Sequence, residues 1–173
     1  MGPIKFILLG QACGAETLEM LPSRLPIVIS AERNCFPATF KEEYDKLNAT
    51  SSYKYLNSGM IVAERDAMVT LLESMDLANV PDDHYNYQTN QWVHPNDQEL
   101  YQEHFLKQVV KITLDYDQIL CNTLHSVTID DLNFSKNRIQ NRETKSYPCS
   151  FHLNGNAKTE GLREPILRHL NLL

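Results

Sequence analysis

The sequence predicts an α/β domain, and three observations point there. "KFILLG" (residues 5–10) and "LPIVISAE" (25–32) are continuous apolar runs, the second rich in β-branched residues, as strands buried on both faces are. "AETLEMLPS" between them carries Leu18 and Leu21 at helical spacing and stops at Pro22. A strand-helix-strand opening implies a parallel strand pair in a layered architecture. Amphipathic helical stretches and short strand-like runs then share the rest of the chain.

In order, "YKYLNSGMIVAE" is an apolar strand-like stretch around a Ser-Gly turn. "RDAMVTLLESM" follows as a helix with Met68, Leu71, Leu72 and Met75 on one face. Residues 76–95, "DLANVPDDHYNYQTNQWVHP", are polar, aromatic-rich and aperiodic. Such a length reads as a lid or insertion near a site. "NDQELYQEHFLKQ" is a helix with Asn96 or Asp97 as N-cap. "KITLDY", "ILCNTL", "SVTIDDLNF", "NRIQNRE" and "YPCSFHL" are short strands, and "TEGLREPILRHL" is a helix interrupted at Pro165. No repeat, low-complexity tract or linker divides residues 1–173, so the chain reads as one domain.

The 173 residues suffice for a real core, with 42% hydrophobic and 22% charged residues. A formal net charge of −6 with no lysine-arginine cluster argues against nucleic-acid binding, so any phosphate must be held locally. No apolar run approaches a membrane span. "FILLG" reads as a buried strand rather than a signal peptide, which by itself makes the chain cytoplasmic. Cys13, Cys35, Cys121 and Cys149 form no CxxC pair and read as free, mostly buried thiols. Asn48-Ala49-Thr50 and Asn133-Phe134-Ser135 fit the glycosylation sequon, a triplet that arises often by chance.

Four polar segments sit at the ends of predicted strands: "SAERNCFP", "YLNSGM", "PNDQ" and "HLNGNAK". Ligands of open α/β sheets bind outside strand carboxyl ends, so these segments are expected to converge on one crevice. Taken singly, each has a plainer reading. Ser58-Gly59 is a turn, Asn96-Asp97 a helix cap, Glu32 a surface charge, and His152 a hydrogen-bonded strand-end histidine. There is no HExxH, no G-x-S-x-G elbow and no glycine-rich phosphate loop. "HLNGNAK" remains unusual, because it joins His152, two asparagines, Gly155 and Lys158 within seven positions.

In order, these segments resemble the glycosyltransferase domain of procollagen-lysine hydroxylases and related collagen glucosyl- and galactosyltransferases. "SAERNCFP" is similar to a family "SAE" leading to an aromatic-Pro pair, and "YLNSGM" to Leu-Asn-Ser-Gly-Gly. "NDQELY" matches an acidic run ending in Asp-Gln, "ITLDYDQILCNTLHSV" a Leu-Asp strand and its successor, and "HLNGNAK" a His-Gly-Asn-Gly-Pro-Thr-Lys motif. The resemblance covers nearly the whole chain. It implies a partial GT-A type mixed sheet flanked by helices, a nucleotide-sugar donor (a uridine-diphosphate sugar), a hydroxyl acceptor, manganese, and a place in the secretory pathway. It implies His152 as the metal ligand, and Asn57, Ser58, Gly59, Asn154, Gly155 and Lys158 around the donor. Asp97 and Gln98 are expected at the reacting centre, and Leu114-Asp115 in the scaffold.

The departures are specific. Family members carry an Asp-x-x-Asp motif before the strand matched by "KFILLG"; Lys5 stands at its second Asp. Phe36 replaces a tryptophan, and Met60 replaces the second glycine of the sugar loop. The chain therefore reads as the C-terminal portion of such a domain, with strand edges left for a second copy or a missing half. Two functions follow as expectations: hexose transfer from a nucleotide sugar to a hydroxyl, or a truncated, non-catalytic sugar- or partner-binding module. An upstream Asp-x-x-Asp half would separate them.

Overall fold

The computed structural model describes residues 26–77, 84–86, 91–93, 96–136, 138–155 and 161–172. The expected "KFILLG" strand and the helix after it lie outside these residues. Strand β1, Ile27–Glu32, is buried at every position, as its apolar run predicts. Both its edges are paired: antiparallel to β2, Tyr55–Ala63, and parallel to β5, Ile112–Asp115. The sheet is therefore mixed, and the open edge expected along "PIVISA" is covered on both sides. Alternation then divides β1 between two apolar clusters. Ile27, Ile29 and Ala31 enter the main core with Leu56, Leu71 and Phe151, while Val28 packs with Leu120 and Cys121.

Among the described residues four helices flank the strands: α1, Lys41–Lys46; α2, Arg65–Ser74; α3, Asp97–Lys107; and α4, Arg163–His169. Asn96 caps α3, accepting the Gln98 backbone N–H at 3.0 Å, and Gln108 ends it in a left-handed conformation with φ 53°. Pro165 does not interrupt α4. It occupies the first turn, where a backbone N–H has no intrahelical acceptor to lose. Residues 76–95, expected to be a loop, include a short antiparallel pair: β3, His84–Asn86, and β4, Gln91–Val93. Strands of three residues are too short for periodicity to reveal. No helix among the described residues is long and apolar enough to cross a membrane.

Further small ladders complete the fold. β6, Cys121–Thr123, runs parallel to β9, Ser150–His152, and β7, Leu132–Ser135, is antiparallel to β8, Arg138–Asn141. Cys35 and Cys121 are free thiols, whereas Cys149, just before β9, is disulfide-bonded, which corrects the all-free reading. Sequence spacing gave no sign of this bridge because the fold, not the spacing, sets which cysteines meet.

Between β5 and β6 the chain turns around Asp115. Its buried carboxylate accepts backbone N–H groups from Ile119 at 2.8 Å, Leu120 at 2.8 Å and Cys121 at 3.2 Å. Asp115 is thus scaffold, as expected. Asp115→Ala would leave these donors unsatisfied and is expected to cost roughly 3 kcal/mol or more. Urea unfolding measures this; a loss under about 1 kcal/mol would show that the turn closes without the carboxylate.

Candidate functional site

The four polar segments meet at one end of the central sheet, and register explains how β2 reaches them. Ile29 pairs with Ile61, but Ala31 pairs with Leu56, so Ser30 on β1 faces Asn57–Met60 on β2. Ser58-Gly59 is accordingly part of a large bulge inside a strand, not a turn between elements. Such bulges re-aim side chains beside sites. Ser30 Oγ holds the bulge by donating to the Asn57 carbonyl at 2.7 Å, and the Gly59 N–H closes on Asn57 Oδ1 at 2.9 Å.

Glu32, the last residue of β1, lies at the centre. It is 2% exposed, so the surface-charge reading fails. Gln98 Nε2 donates to Glu32 Oε1 at 2.9 Å, Asn154 Nδ2 donates to Oε2 at 2.7 Å, and Asn57 also hydrogen-bonds this carboxylate. Burial pushes the Glu32 carboxyl above its ordinary value, and these amides pull it back. Sequence reasoning placed Glu32 in a polar segment but gave it no role. The usable signal was an acidic residue ending a run buried on both faces.

Each amide is locked in orientation by a second bond. Gln98 Oε1 accepts the Ser58 N–H at 3.1 Å, and Gln98 Nε2 also donates to the Phe36 carbonyl oxygen. Asn154 Oδ1 accepts the backbone N–H groups of Leu124 and His125, each at 2.9 Å. Buried Gln98, expected at the reacting centre, is therefore spent on internal bonds, as is most of Asn154. Asp97 differs: it is exposed, and its Oδ2 accepts from Ser58 Oγ at 3.2 Å.

His152, at the end of β9, sets Nδ1 3.1 Å from Asn57 Oδ1. Because the Gly59 N–H already fixes that oxygen as an acceptor, His152 Nδ1 is the donor. In the neutral ring Nε2 then carries the lone pair, as in metal-binding imidazoles with an anchored second nitrogen. Gly59 is required here by close approach. A Cβ at residue 59 would lie 2.2 Å from His152 Cε1 and 2.3 Å from Nδ1. Gly155 stands beside Asn154 with φ +55°, and Lys158 and Lys5 lie outside the described residues.

The described residues do not by themselves make a manganese site. Among the described residues no group of three or more His, Cys, Asp or Glu side chains could hold a metal ion. One imidazole is a weak site for a cation that prefers several oxygen ligands.

A mixed α/β sheet flanked by helices, with a polar cluster at the end of its central strand, is consistent with a partial GT-A-like fold. Residues 15–163 match the PLOD GT domain, and the chain belongs to that family of glycosyltransferase domains. It is also similar, at 34% identity over 133 residues, to an uncharacterized protein of Acanthamoeba polyphaga mimivirus; the match covers 76% of this chain. The same match covers 25% of the viral protein, so the chain spans about a quarter of that relative's length.

Glu32→Gln tests the centre. A glutamine would present an N–H to amides whose own N–H groups cannot turn away, at an expected cost of about 1–3 kcal/mol. The pH dependence carries a sign. With the folded carboxyl above its unfolded value, the folded state holds more protons between the two values. Glu32 therefore adds stability as pH falls through that window and loses it as pH rises. The difference between wild-type and Glu32→Gln unfolding free energies across pH 4 to 7 should show that slope; a flat difference would show that burial gives the carboxyl no net upward shift.

Proposed function

We propose that the chain binds a nucleotide-sugar donor at the Glu32–Asn57–His152–Asn154 corner and transfers a hexose to a hydroxyl acceptor. The observation that carries this reading is the convergence of three family-matched segments on the buried carboxylate of a fourth, with one exposed carboxylate beside it. In the transfer, an acceptor hydroxyl oxygen bonds to the anomeric carbon as the bond from that carbon to the diphosphate oxygen breaks, and the hydroxyl proton passes to the Asp97 carboxylate. Asp97 is the residue we assign to the reacting centre. Its exposed carboxylate retains lone pairs to accept sugar or acceptor hydroxyls, and Ser58 orients it.

Gln98 and Glu32 act at one remove in this reading, by fixing Ser58 and the bulge. His152 faces the donor with its Nδ1 anchored, while Gly59 and Gly155 let backbone approach closely. Lys158 supplies a fixed positive charge to the diphosphate, where negative charge grows as the bond breaks. The disulfide at Cys149 fits an oxidising compartment, which favours the secretory route expected from the family.

Calorimetric titration with uridine-diphosphate glucose or galactose, with and without manganese, tests donor binding. Gly59→Ala should weaken the donor roughly tenfold or more by displacing the His152 ring, and Lys158→Ala should weaken it even without metal. Asp97→Asn should lower turnover by at least roughly tenfold while leaving donor affinity within about twofold. Donor binding without any transfer or donor hydrolysis would favour the non-catalytic sugar-binding module. No binding by the wild-type chain would overturn the proposal. Micromolar manganese binding abolished by His152→Ala would contradict the weak-metal reading.

A further inference from the structure

His125 is a chemistry-bearing side chain that the family motifs leave without a role, yet its ring lies directly against the donor corner. A Cβ built on Gly155 would lie 2.5 Å from His125 Nδ1, 2.6 Å from Cγ and 3.0 Å from Cδ2. The imidazole therefore occupies the volume that any side chain at residue 155 would need. Gly155 meets this wall while in the left-handed region, at φ +55°.

His125 is itself fixed from both sides. On one side its backbone N–H donates to Asn154 Oδ1 at 2.9 Å, and the preceding Leu124 N–H donates to the His152 carbonyl at 3.0 Å. On the other, Arg33 Nη1 donates to the Ser126 carbonyl at 3.1 Å, where Ser126 has φ 61°. Arg33 is anchored in turn by ion pairs to Asp131 at 3.2 Å and Glu143 at 2.8 Å, and by its place over the Tyr53 ring. Glu32 and Arg33, neighbours at the end of β1, thus hold the two sides of this contact. Glu32 holds Asn154, and Arg33 holds the corner that presents His125.

We propose that His125 is a positioning residue for donor binding: its ring is the wall that fixes Gly155, and with it the His152–Gly155 corner, on the donor side. This rests on the donor-binding reading of that corner. The contact is one of shape, so ring volume rather than the imidazole nitrogens sets the effect. Because the wall touches Gly155 and not Asp97, loss of the wall should raise the donor KM and leave the acceptor KM and kcat largely unchanged.

The test is a double-mutant cycle read by calorimetric titration with uridine-diphosphate glucose, beside circular dichroism of each variant. Gly155→Ala should weaken donor binding at least roughly tenfold, because its Cβ meets the ring. His125→Ala alone should weaken it by roughly threefold to tenfold, and His125→Phe should restore most of that loss. In the His125→Ala background, adding Gly155→Ala should cost only a few-fold, since the space is then open and only the backbone preference remains. Should Gly155→Ala fail to fold, His125→Ala and His125→Phe still decide the matter. Equal effects of Gly155→Ala in both backgrounds, or a His125→Ala variant with wild-type donor affinity, would overturn the inference while leaving the donor-binding reading intact. A wild-type chain that binds no donor overturns both.

Discussion

The hydrogen bonds around the buried carboxylate of Glu32 are the constraint on which the site depends. A carboxylate taken out of water is costly unless donors replace its hydration. Here the replacements come from the β2 bulge, the start of α3 and the segment after β9. Three stretches far apart in sequence are thereby tied to the end of one strand. Each donor amide is oriented by a backbone group behind it, so the arrangement is cooperative: moving one amide unlocks a second bond. The bonds that hold Glu32 are the bonds that gather the polar segments.

The β2 bulge shows how the sheet serves this centre. A regular ladder would set Asn57 and Gly59 in register along β1, two residues apart on one face. Opposing four residues to Ser30 instead lets Asn57 reach back to Gly59 and across to His152. The absence of a side chain at residue 59 then lets the imidazole lie against the backbone. Met60, at the family's second glycine, packs beside Val28, Leu120 and Cys121, so the replaced glycine is accommodated by the second apolar cluster rather than by the crevice.

Much of this was legible in the sequence. The run "PIVISA" announced a strand buried on both faces, "NDQELY" announced a capped helix, and five motifs in order announced the family. Periodicity could not reveal β3 and β4, because strands so short contain too little alternation. The bulge was misread as a turn because Asn, Ser and Gly favour both, and only the pairing register separates them. Glu32 was passed over because a lone acidic residue at a strand end is usually solvated. Its role depends on partners 66 and 122 positions away, at Gln98 and Asn154, and no local pattern encodes such distances. The Cys149 bridge was hidden for the same reason.

On the proposed reading, the polar segments gathered around Glu32 form one donor-binding site. Backbone chemical-shift mapping on titration with a uridine-diphosphate sugar tests it most directly. The account predicts the largest shifts at Glu32, Asn57–Gly59, Asp97–Gln98 and His152–Gly155, moving together along one saturating curve. Shifts centred instead on the cleft lined by Leu47, Phe105, Leu106 and Ile112, at the opposite end of the β1–β5 pair, would contradict it.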